Sequence, residues 1–296
     1  KKTYQIKGED IMDESGFKLN IAIVGLGLIG ASYAMALKDL APECIYGVDK
    51  NEETLKKALD MGIIDEAYKN GDVFLKNVDL IIIALYPQDT VEFIKDNLHN
   101  FKVGVLITDT SGVKESIVDK INSILPDNME FIGGHPMAGK EAGGIKLASK
   151  EIFKGANYII TPTTKNNKCN IDVIEKMAKS IGFKNVIYIN PEEHDRIISF
   201  TSQLPHVIAV SLIDACIEEN DIGLYTGGSF RDATRVAVIN SMLWSELFTM
   251  NSEKLISEIE RFEESISKLK DAIKCRDIDK LDHIFKKVSL KRKELV

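Results

Sequence analysis

Short apolar runs alternate with helix-like segments along the first two-thirds of the chain. The runs that predict strands are Ile21–Val24, Cys44–Val48, Leu80–Ala84, Gly104–Thr108, Phe131–Gly133, Tyr158–Thr161 and Val186–Ile189. Amphipathic segments between them predict helices over Ser32–Leu40, Glu52–Met61, Pro87–His99, Lys114–Leu125 and Ile171–Ile181. Leu80–Ala84 is apolar at every position, which is typical of a strand buried on both faces of a parallel sheet. The alternation predicts an α/β domain built on a parallel sheet.

The pattern changes after Pro191, beyond which no further strand is predicted. The helices expected there are Ile197–Ile217, Arg235–Met250, Asn251–Cys275 and Asp277–Leu295. Pro205 cannot donate a hydrogen bond to the carbonyl of Thr201, so the first of these helices should kink. A chain of 296 residues is long enough for two domains. We therefore expect an α/β domain over residues 1–190 and an all-helical domain over residues 191–296.

Composition narrows the functional classes. The formal charge is −7 with no basic run, and binding to duplex nucleic acid needs clustered Lys and Arg. The four cysteines are scattered without a C-x-x-C pair, so neither a zinc site nor a disulfide framework is expected. No membrane span is expected, because Ile197–Ile217 is broken by polar residues and Pro205. Residues 1–20 are mixed in charge and lack the apolar region of a secretory signal, so a cytoplasmic protein is expected.

A glycine loop follows the first predicted strand and opens a helix. The loop is Gly25-Leu26-Gly27-Leu28-Ile29-Gly30, which matches G-x-G-x-x-G in the context that dinucleotide binding requires. Gly27 lets a pyrophosphate approach the backbone, and the helix N-terminus supplies unpaired N–H groups to it. Asp49 ends the second strand, where a carboxylate can bind ribose hydroxyls and repel a 2′-phosphate. NAD is therefore the expected cofactor, bound by Gly25, Gly27, Leu28, Ile29, Gly30 and Asp49; a glycine turn without a cofactor is the alternative.

Oxidation of a hydroxyl group also needs a side chain that accepts the hydroxyl proton. His135 is the leading candidate, because it lies in a glycine-rich segment placed just past a predicted strand, where α/β sheets bind ligands. His206 follows Pro205 in an apolar helix and by itself indicates a core histidine, although Ser202 is one turn away and could line the same polar pocket. Arg231 and Arg235 lie near glycines and suit carboxylate binding, or surface ion pairs.

Four motifs together resemble the prephenate dehydrogenase family. They are Gly25-x-Gly27-x-x-Gly30, Gly134-His135-Pro136-Met137-Ala138-Gly139, Leu204-Pro205-His206 and Phe230-Arg231-Asp232-x-Thr234-Arg235. The resemblance spans about residues 20 to 260. It implies a Rossmann-type NAD-binding domain followed by a helical domain that forms a homodimer. It also implies an enzyme of tyrosine biosynthesis.

The resemblance implies an oxidative decarboxylation. NAD takes a hydride from C4 of prephenate, the C1 carboxylate leaves as CO2, and 4-hydroxyphenylpyruvate forms without a metal. The family's catalytic histidine matches His135, which would take the proton of the C4 hydroxyl. His206 matches a substrate-pocket histidine, which replaces the core interpretation, and Ser202 joins it as a substrate-binding residue. Arg235 matches the arginine that binds a substrate carboxylate.

One position departs from the family pattern. The family often has Asp-x-Gly-Ser-Val-Lys after the strand, whereas this chain has Asp109-Thr110-Ser111-Gly112-Val113-Lys114, so Gly112 occupies the place of the serine. Ser111 is the expected catalytic substitute from the adjacent position.

Three other functions remain open. An arogenate dehydrogenase would perform the same chemistry on the amino analogue. A β-hydroxyacid dehydrogenase has a similar domain plan, but its lysine and asparagine signature is not found. A non-enzymatic NAD-responsive binding protein would leave His135, His206 and Arg235 without a purpose.

Overall fold

The computed structural model describes residues 12–13, 16–139, 143–216 and 222–295. A short hairpin pairs β1 (Met12–Asp13) with β2 (Gly16–Phe17). The other strands form one eight-stranded sheet: β3 (Asn20–Val24), β4 (Cys44–Val48), β5 (Glu66–Tyr68), β6 (Leu80–Ile83), β7 (Leu106–Asp109), β8 (Glu130–Pro136), β9 (Asn157–Thr161) and β10 (Asn185–Tyr188). The order across the sheet is β10-β9-β8-β7-β6-β3-β4-β5. The predicted α/β fold class is confirmed, and β5 is a strand that the sequence pattern did not indicate.

The strand order reverses at β3, and this reversal positions the ligand site. The chain runs outward from β3 through β4 to β5, then crosses to β6 on the other side of β3. All four residues of β6 are buried, as its apolar sequence predicts. Open α/β sheets bind ligands at the carboxyl ends of the strands beside such a reversal. The crevice here lies between the ends of β3 and β6.

The prediction of a wholly parallel sheet is wrong at one end. β9 pairs with β8 in antiparallel register, with Gly134 opposite Ile160, and β10 continues parallel to β9. A parallel connection requires a long crossover, usually an α-helix. The described part of the β8–β9 connection contains only two 3₁₀ turns, Ile145–Leu147 and Lys150–Phe153. The chain therefore returns alongside β8 in the opposite direction.

Five helices flank the sheet close to their predicted places: α1 (Leu28–Lys38), α2 (Glu52–Asp60), α3 (Pro87–Asn97), α4 (Glu115–Ile124) and α5 (Lys168–Ser180). Asn51 caps α2 by accepting hydrogen bonds from the N–H groups of Glu53 and Thr54. Pro87 stands in the first turn of α3, where its missing N–H costs nothing. One buried cluster packs α1, α2 and α5 on one face of the sheet, and a second packs α3 and α4 on the other.

The described elements after Tyr188 are helical: α6 (Pro191–Ile198), α7 (Leu204–Asp214), α8 (Gly228–Thr234), α9 (Ser241–Met250), α10 (Ser252–Lys274) and α11 (Ile278–Leu295). The predicted helix Ile197–Ile217 is wrong in its start. The Asn190 side chain caps α6 and Pro191 opens it, so the helix begins earlier. Ser199–Gln203 then forms a π-helical turn before α7. In this turn the N–H of Leu204 donates to the Ser199 carbonyl, five residues back. The wider hydrogen-bond spacing lets the helix continue past Pro205, which has no N–H to donate.

The predicted helix Arg235–Met250 is also wrong at its start. Arg235–Ala237 is a 3₁₀ turn that ends α8, and α9 begins only at Ser241. Asn240 caps α9 by accepting a hydrogen bond from the N–H of Leu243. Asn240 therefore marks the start of α9, although the apolar pattern suggested a helix that begins earlier.

The helical run Pro191–Asp214 has the length and composition of a membrane span, with a mean hydropathy of 1.3 in its best window. No span was expected here, because polar residues and Pro205 interrupt Ile197–Ile217. Its polar residues, however, hold it against the rest of the protein. His194 contacts His135 of the sheet, and Asp195 accepts backbone hydrogen bonds at the start of α4. These contacts pack one side of the run against the sheet and α4, while only 28% of its most apolar window is buried.

Candidate active site

A cavity of about 620 Å³ lies between the carboxyl edge of the sheet and the helical part of the chain. The sheet side contributes the glycine loop, the ends of β6, β7 and β8, and the segments that follow them. The helical side contributes the end of α6, the π-helical turn, α7 and α9. The predicted site residues Gly27, Leu28, Ile29, Ser111, His135, Ser202 and His206 all line this cavity. Residues from both halves of the sequence thus meet in one place.

The glycine loop has the geometry that a dinucleotide requires. Gly25 has a φ of +86°, and a Cβ there would come within 2.6 Å of the Ala84 carbonyl oxygen. Gly27 precedes α1 and has nothing within 4 Å of where its Cβ would lie. The open space at Gly27 and the uncapped N-terminus of α1 leave backbone N–H groups available to a phosphate. These observations fit the expected cofactor.

Asp49 is held beside the loop by its own hydrogen bonds. Its carboxylate accepts from the N–H of Leu26 at 2.8 Å and from the N–H of Asn51 at 2.9 Å. It lines a second cavity of about 520 Å³ together with Gly25, Lys50 and Lys69. This places a fixed carboxylate where the ribose of a bound dinucleotide would lie.

His135 lies within β8, and the prediction that it follows the strand is wrong. The strand extends to Pro136 because β9 pairs with it up to that residue. Its Nδ1 lies 2.8 Å from Nε2 of His194. Its Nε2 is on the cavity side, 3.9 Å from where a Cβ on Gly112 would lie. Burial lowers the pKa of His135 well below its usual range, and nearby His194 and Lys114 lower it further.

His194 is a site residue that the sequence reasoning missed. Its side chain is fully buried, and its Nδ1 lies 2.7 Å from Oδ1 of Asp195. Burial lowers the pKa of His194, against the opposing effect of Asp195. The Asp195 carboxylate also accepts hydrogen bonds from the N–H groups of Lys114 and Glu115. The contact with His135 joins residues 59 positions apart, so local sequence could not reveal it. The available signal was the adjacent pair His194-Asp195, which lies in the helix that Asn190 caps.

A buried ion pair supports the floor of the site. Nζ of Lys114 donates to Oδ2 of Asp109 at 2.6 Å and to the Ser111 carbonyl at 2.8 Å, and both charged side chains are fully buried. Oδ1 of Asp109 accepts from the N–H of Gly134, next to His135. Burial lowers the pKa of Lys114, while Asp109 opposes that shift. The pair ties the loop after β7 to the strand that carries His135.

Ser111 and Gly112 both line the cavity. The Oγ of Ser111 is buried without a hydrogen-bond partner among the described residues. A buried hydroxyl of this kind costs free energy unless a ligand or water satisfies it. A Cβ on Gly112 would lie 3.5 Å from Leu247, which is ordinary packing. The structure therefore leaves space for a serine at either position.

His206 is a half-buried residue of the cavity. Its Nδ1 lies 2.9 Å from the carbonyl of Ser202, and its ring stacks on Trp244 with centroids 3.6 Å apart. Burial lowers the pKa of His206, against the effect of that carbonyl. A carbonyl oxygen accepts only, so Nδ1 is the donor and Nε2 remains to meet a ligand.

Arg235, a predicted substrate-binding residue, is not among the residues that line the cavity. It is exposed at the end of α8, and the following residue, Val236, lines the cavity. No Lys or Arg side chain is among the described residues that line the cavity itself. The described part of the chain also holds no group of three His, Cys, Asp or Glu residues arranged for a metal ion. Lys140, which directly follows the motif Gly134–Gly139, lies outside the described residues.

Two family models account for nearly the whole chain. The model for the nucleotide-binding domain of prephenate dehydrogenase matches residues 33–187, and that for its dimerization domain matches residues 190–287. The chain belongs to the prephenate dehydrogenase family. A curated prephenate dehydrogenase from Bacillus subtilis is 30% identical over 275 residues, which cover 91% of this chain and 74% of that protein.

Solved structures of the family have the same fold. The prephenate dehydrogenase of Aquifex aeolicus, crystallised with hydroxyphenyl propionate and NAD+, superposes with a TM-score of 0.86 at 32% identity, covering 94% of this chain and 98% of that one. The arogenate dehydrogenase of Synechocystis superposes with a TM-score of 0.80 at 27% identity, covering 94% of this chain and all of that one. The family therefore includes members that are named for either substrate.

Proposed function

We propose that the chain is a prephenate dehydrogenase, which converts prephenate and NAD+ to 4-hydroxyphenylpyruvate, CO2 and NADH in tyrosine biosynthesis. The observation that carries this proposal is a shared cavity. The glycine loop and the Nε2 face of His135 border the same space. A hydride acceptor bound at the loop and a base bound to the substrate hydroxyl would therefore meet at one carbon atom. We also propose that the reaction takes place in the cytoplasm.

The roles of the loop residues follow from their positions. Gly25, Gly27, Leu28, Ile29, Gly30 and Asp49 would hold NAD+, which when bound supplies the hydride acceptor. A Cβ on Gly30 would lie 1.8 Å from the carbonyl oxygen of Gly25, so only glycine lets α1 begin this close to the loop. The Asp49 carboxylate would accept hydrogen bonds from ribose hydroxyls and repel a 2′-phosphate. NAD+ is therefore favoured over NADP+.

His135 would act as a general base. The C4 hydroxyl of prephenate donates to Nε2 of His135, and the proton moves to that nitrogen as the hydride leaves C4 and a carbonyl forms there. The C1–carboxylate bond then breaks, its electron pair enters the ring, and the C4 oxygen takes back a proton to become the phenol. Aromatisation drives the loss of CO2. Base assistance of this kind contributes about 10²- to 10⁴-fold to the rate.

The remaining contacts would orient the substrate. Ser111, with its unpartnered hydroxyl, would donate to the C4 oxygen, while Ser202 and His206 would bind on the helical side of the cavity. Arg235 would meet a carboxylate at the rim, because a guanidinium matches a carboxylate bidentately. In an acidic chain a dianionic substrate needs such a local cation. An Arg235→Ala variant should raise KM more than it lowers kcat, whereas Arg261→Ala on exposed α10 should change neither.

The test is a paired assay with prephenate and arogenate, each with NAD+ and with NADP+. We expect NADH and CO2 in equal amounts, with the highest kcat/KM for prephenate and NAD+. A higher kcat/KM for arogenate would instead indicate an arogenate dehydrogenase, which is the name of the Synechocystis relative. Oxidation of neither compound would refute both.

A further inference from the structure

We propose that His194 is a positioning residue that holds His135 in the tautomer with its proton on Nδ1, so that Nε2 is free to act as the base. The inference rests on the proposed function, in which His135 takes the hydroxyl proton. It assigns a role to a buried histidine that contacts neither the cavity nor the glycine loop.

The direction of each hydrogen bond follows from Asp195. Its carboxylate accepts from two backbone N–H groups, those of Lys114 and Glu115, at 2.7 and 3.0 Å. An ionised carboxylate only accepts, so Nδ1 of His194 must donate to it. Nε2 of a neutral His194 then carries a lone pair and accepts from Nδ1 of His135. A neutral His135 has one ring proton, and this bond fixes it on the side away from the cavity.

The surrounding elements make this arrangement rigid. Asp195 is held by the N-terminus of α4, whose unpaired N–H groups favour a negative charge. Its main-chain carbonyl accepts from the Asn251 side chain at the start of α10. The other charged groups around the two histidines are Lys114, at the start of α4, and Asp109, on β7, which pair with each other. The His194 ring is thus held between His135 and Asp195, and Asp195 is held in turn by α4 and α10, before any substrate binds.

The same contact supports the reaction step. When His135 gains the proton at Nε2 it becomes a cation, and its Nδ1–H bond to His194 becomes charge-assisted. Asp195 lies directly behind and offsets the positive charge. The order of residues resembles the general arrangement of a base held by a second, orienting group. No proton needs to leave His135 for this role.

Two substitutions separate positioning from proton transfer. His194→Gln keeps an acceptor for His135 and a donor for Asp195 but cannot take up a proton, so kcat should stay near the wild-type value. His194→Phe keeps the ring shape without an acceptor, so kcat should fall about 10²-fold, with a much smaller change in KM. Asn170→Ser is the control, because it removes a buried side-chain hydrogen bond, from Asn170 of α5 to Glu130, without touching either histidine ring or the residues that hold them. It should lower the Tm but keep kcat.

A direct readout needs no turnover. In protein with ¹⁵N-labelled histidine, the ring shifts of His135 at neutral pH should show Nδ1 protonated and Nε2 unprotonated, and His194→Gln should keep this pattern. The opposite tautomer, or equal kcat losses in the Gln and Phe variants, would overturn the proposal, as would full activity in both. Failure of the wild-type protein to oxidise prephenate would instead refute the proposed function and leave the tautomer measurement standing.

Discussion

His135 has a ring nitrogen that faces the cavity, and its buried environment favours the neutral form of the ring. The glycine-rich sequence around it was enough to single it out as a candidate base. The sequence could not show that the residue lies on the strand itself, since that depends on pairing with β9. His194 was beyond prediction for a similar reason, because its partner is 59 residues away and reaches it only through packing of α6 on the sheet.

The pH dependence of kcat/KM tests the neutral base. The base must be unprotonated, and burial holds the pKa of His135 well below the usual histidine value of 6.5. Activity should therefore persist as the pH falls through 6.5 and decline only at lower values. An acid limb centred at or above pH 6.5 would contradict this expectation. Enzyme held at each low pH and returned to neutral pH should recover full activity, which separates titration from unfolding.

Ser111 and Gly112 give a second prediction at this scale. Ser111→Ala should lower kcat, because the cavity loses its unpartnered hydroxyl. Gly112→Ser should fold normally, since a Cβ there makes only ordinary contacts and lies near Nε2 of His135. Adding Gly112→Ser to Ser111→Ala should restore kcat in steady-state assays. No loss in Ser111→Ala would show that this hydroxyl does not serve the reaction.

At the scale of elements, two helices that point at the cavity are capped by the other half of the chain. Asp195 of α6 caps α4, and the carboxylate of Glu246 on α9 accepts from the N–H of Gln88 on α3. The Asn240 side chain also donates to the Tyr86 hydroxyl, which lies just before α3. Strands, helices and local caps such as Asn51 follow from nearby sequence. The caps that Asp195 and Glu246 provide could not be predicted in this way, because donor and acceptor are brought together only by tertiary packing.

The buried pair of Lys114 and Asp109 predicts a large effect on stability. Lys114→Met leaves Asp109 as an unpaired buried charge, which should cost about 3–5 kcal/mol in the free energy of unfolding. Urea denaturation measures this loss. Lys120→Met, on the exposed face of the same helix, should change stability little. A cost for Lys114→Met as small as that of Lys120→Met would contradict the account, and adding Asp109→Asn should recover part of the loss.

At the scale of the whole molecule, the helical part exposes large apolar side chains. Leu224, Tyr225, Val238 and Met242 are each more than 70% exposed, and burial of such apolar side chains against a partner is favourable. The family resemblance implied a homodimer. The family model for residues 190–287 is that of a dimerization domain. We propose that two copies pair through these helices.

Light scattering after size-exclusion chromatography should give twice the mass of the chain. Leu224→Glu places a charge among the exposed apolar residues of the helical part and should shift the mass toward one chain at micromolar concentration. Val73→Glu, at a similarly exposed apolar residue beside the sheet, should keep the double mass. A single-chain mass for the wild-type protein would refute the dimer.

The central claim joins an NAD+ site and a histidine base in one cavity, and the most direct measurement compares wild type with His135→Asn on prephenate and NAD+. The wild type should release NADH and CO2 in equal amounts. His135→Asn should bind prephenate with similar Kd but turn over about 10²- to 10⁴-fold more slowly. Wild-type kcat in the variant, or no NADH from the wild type, would contradict the account.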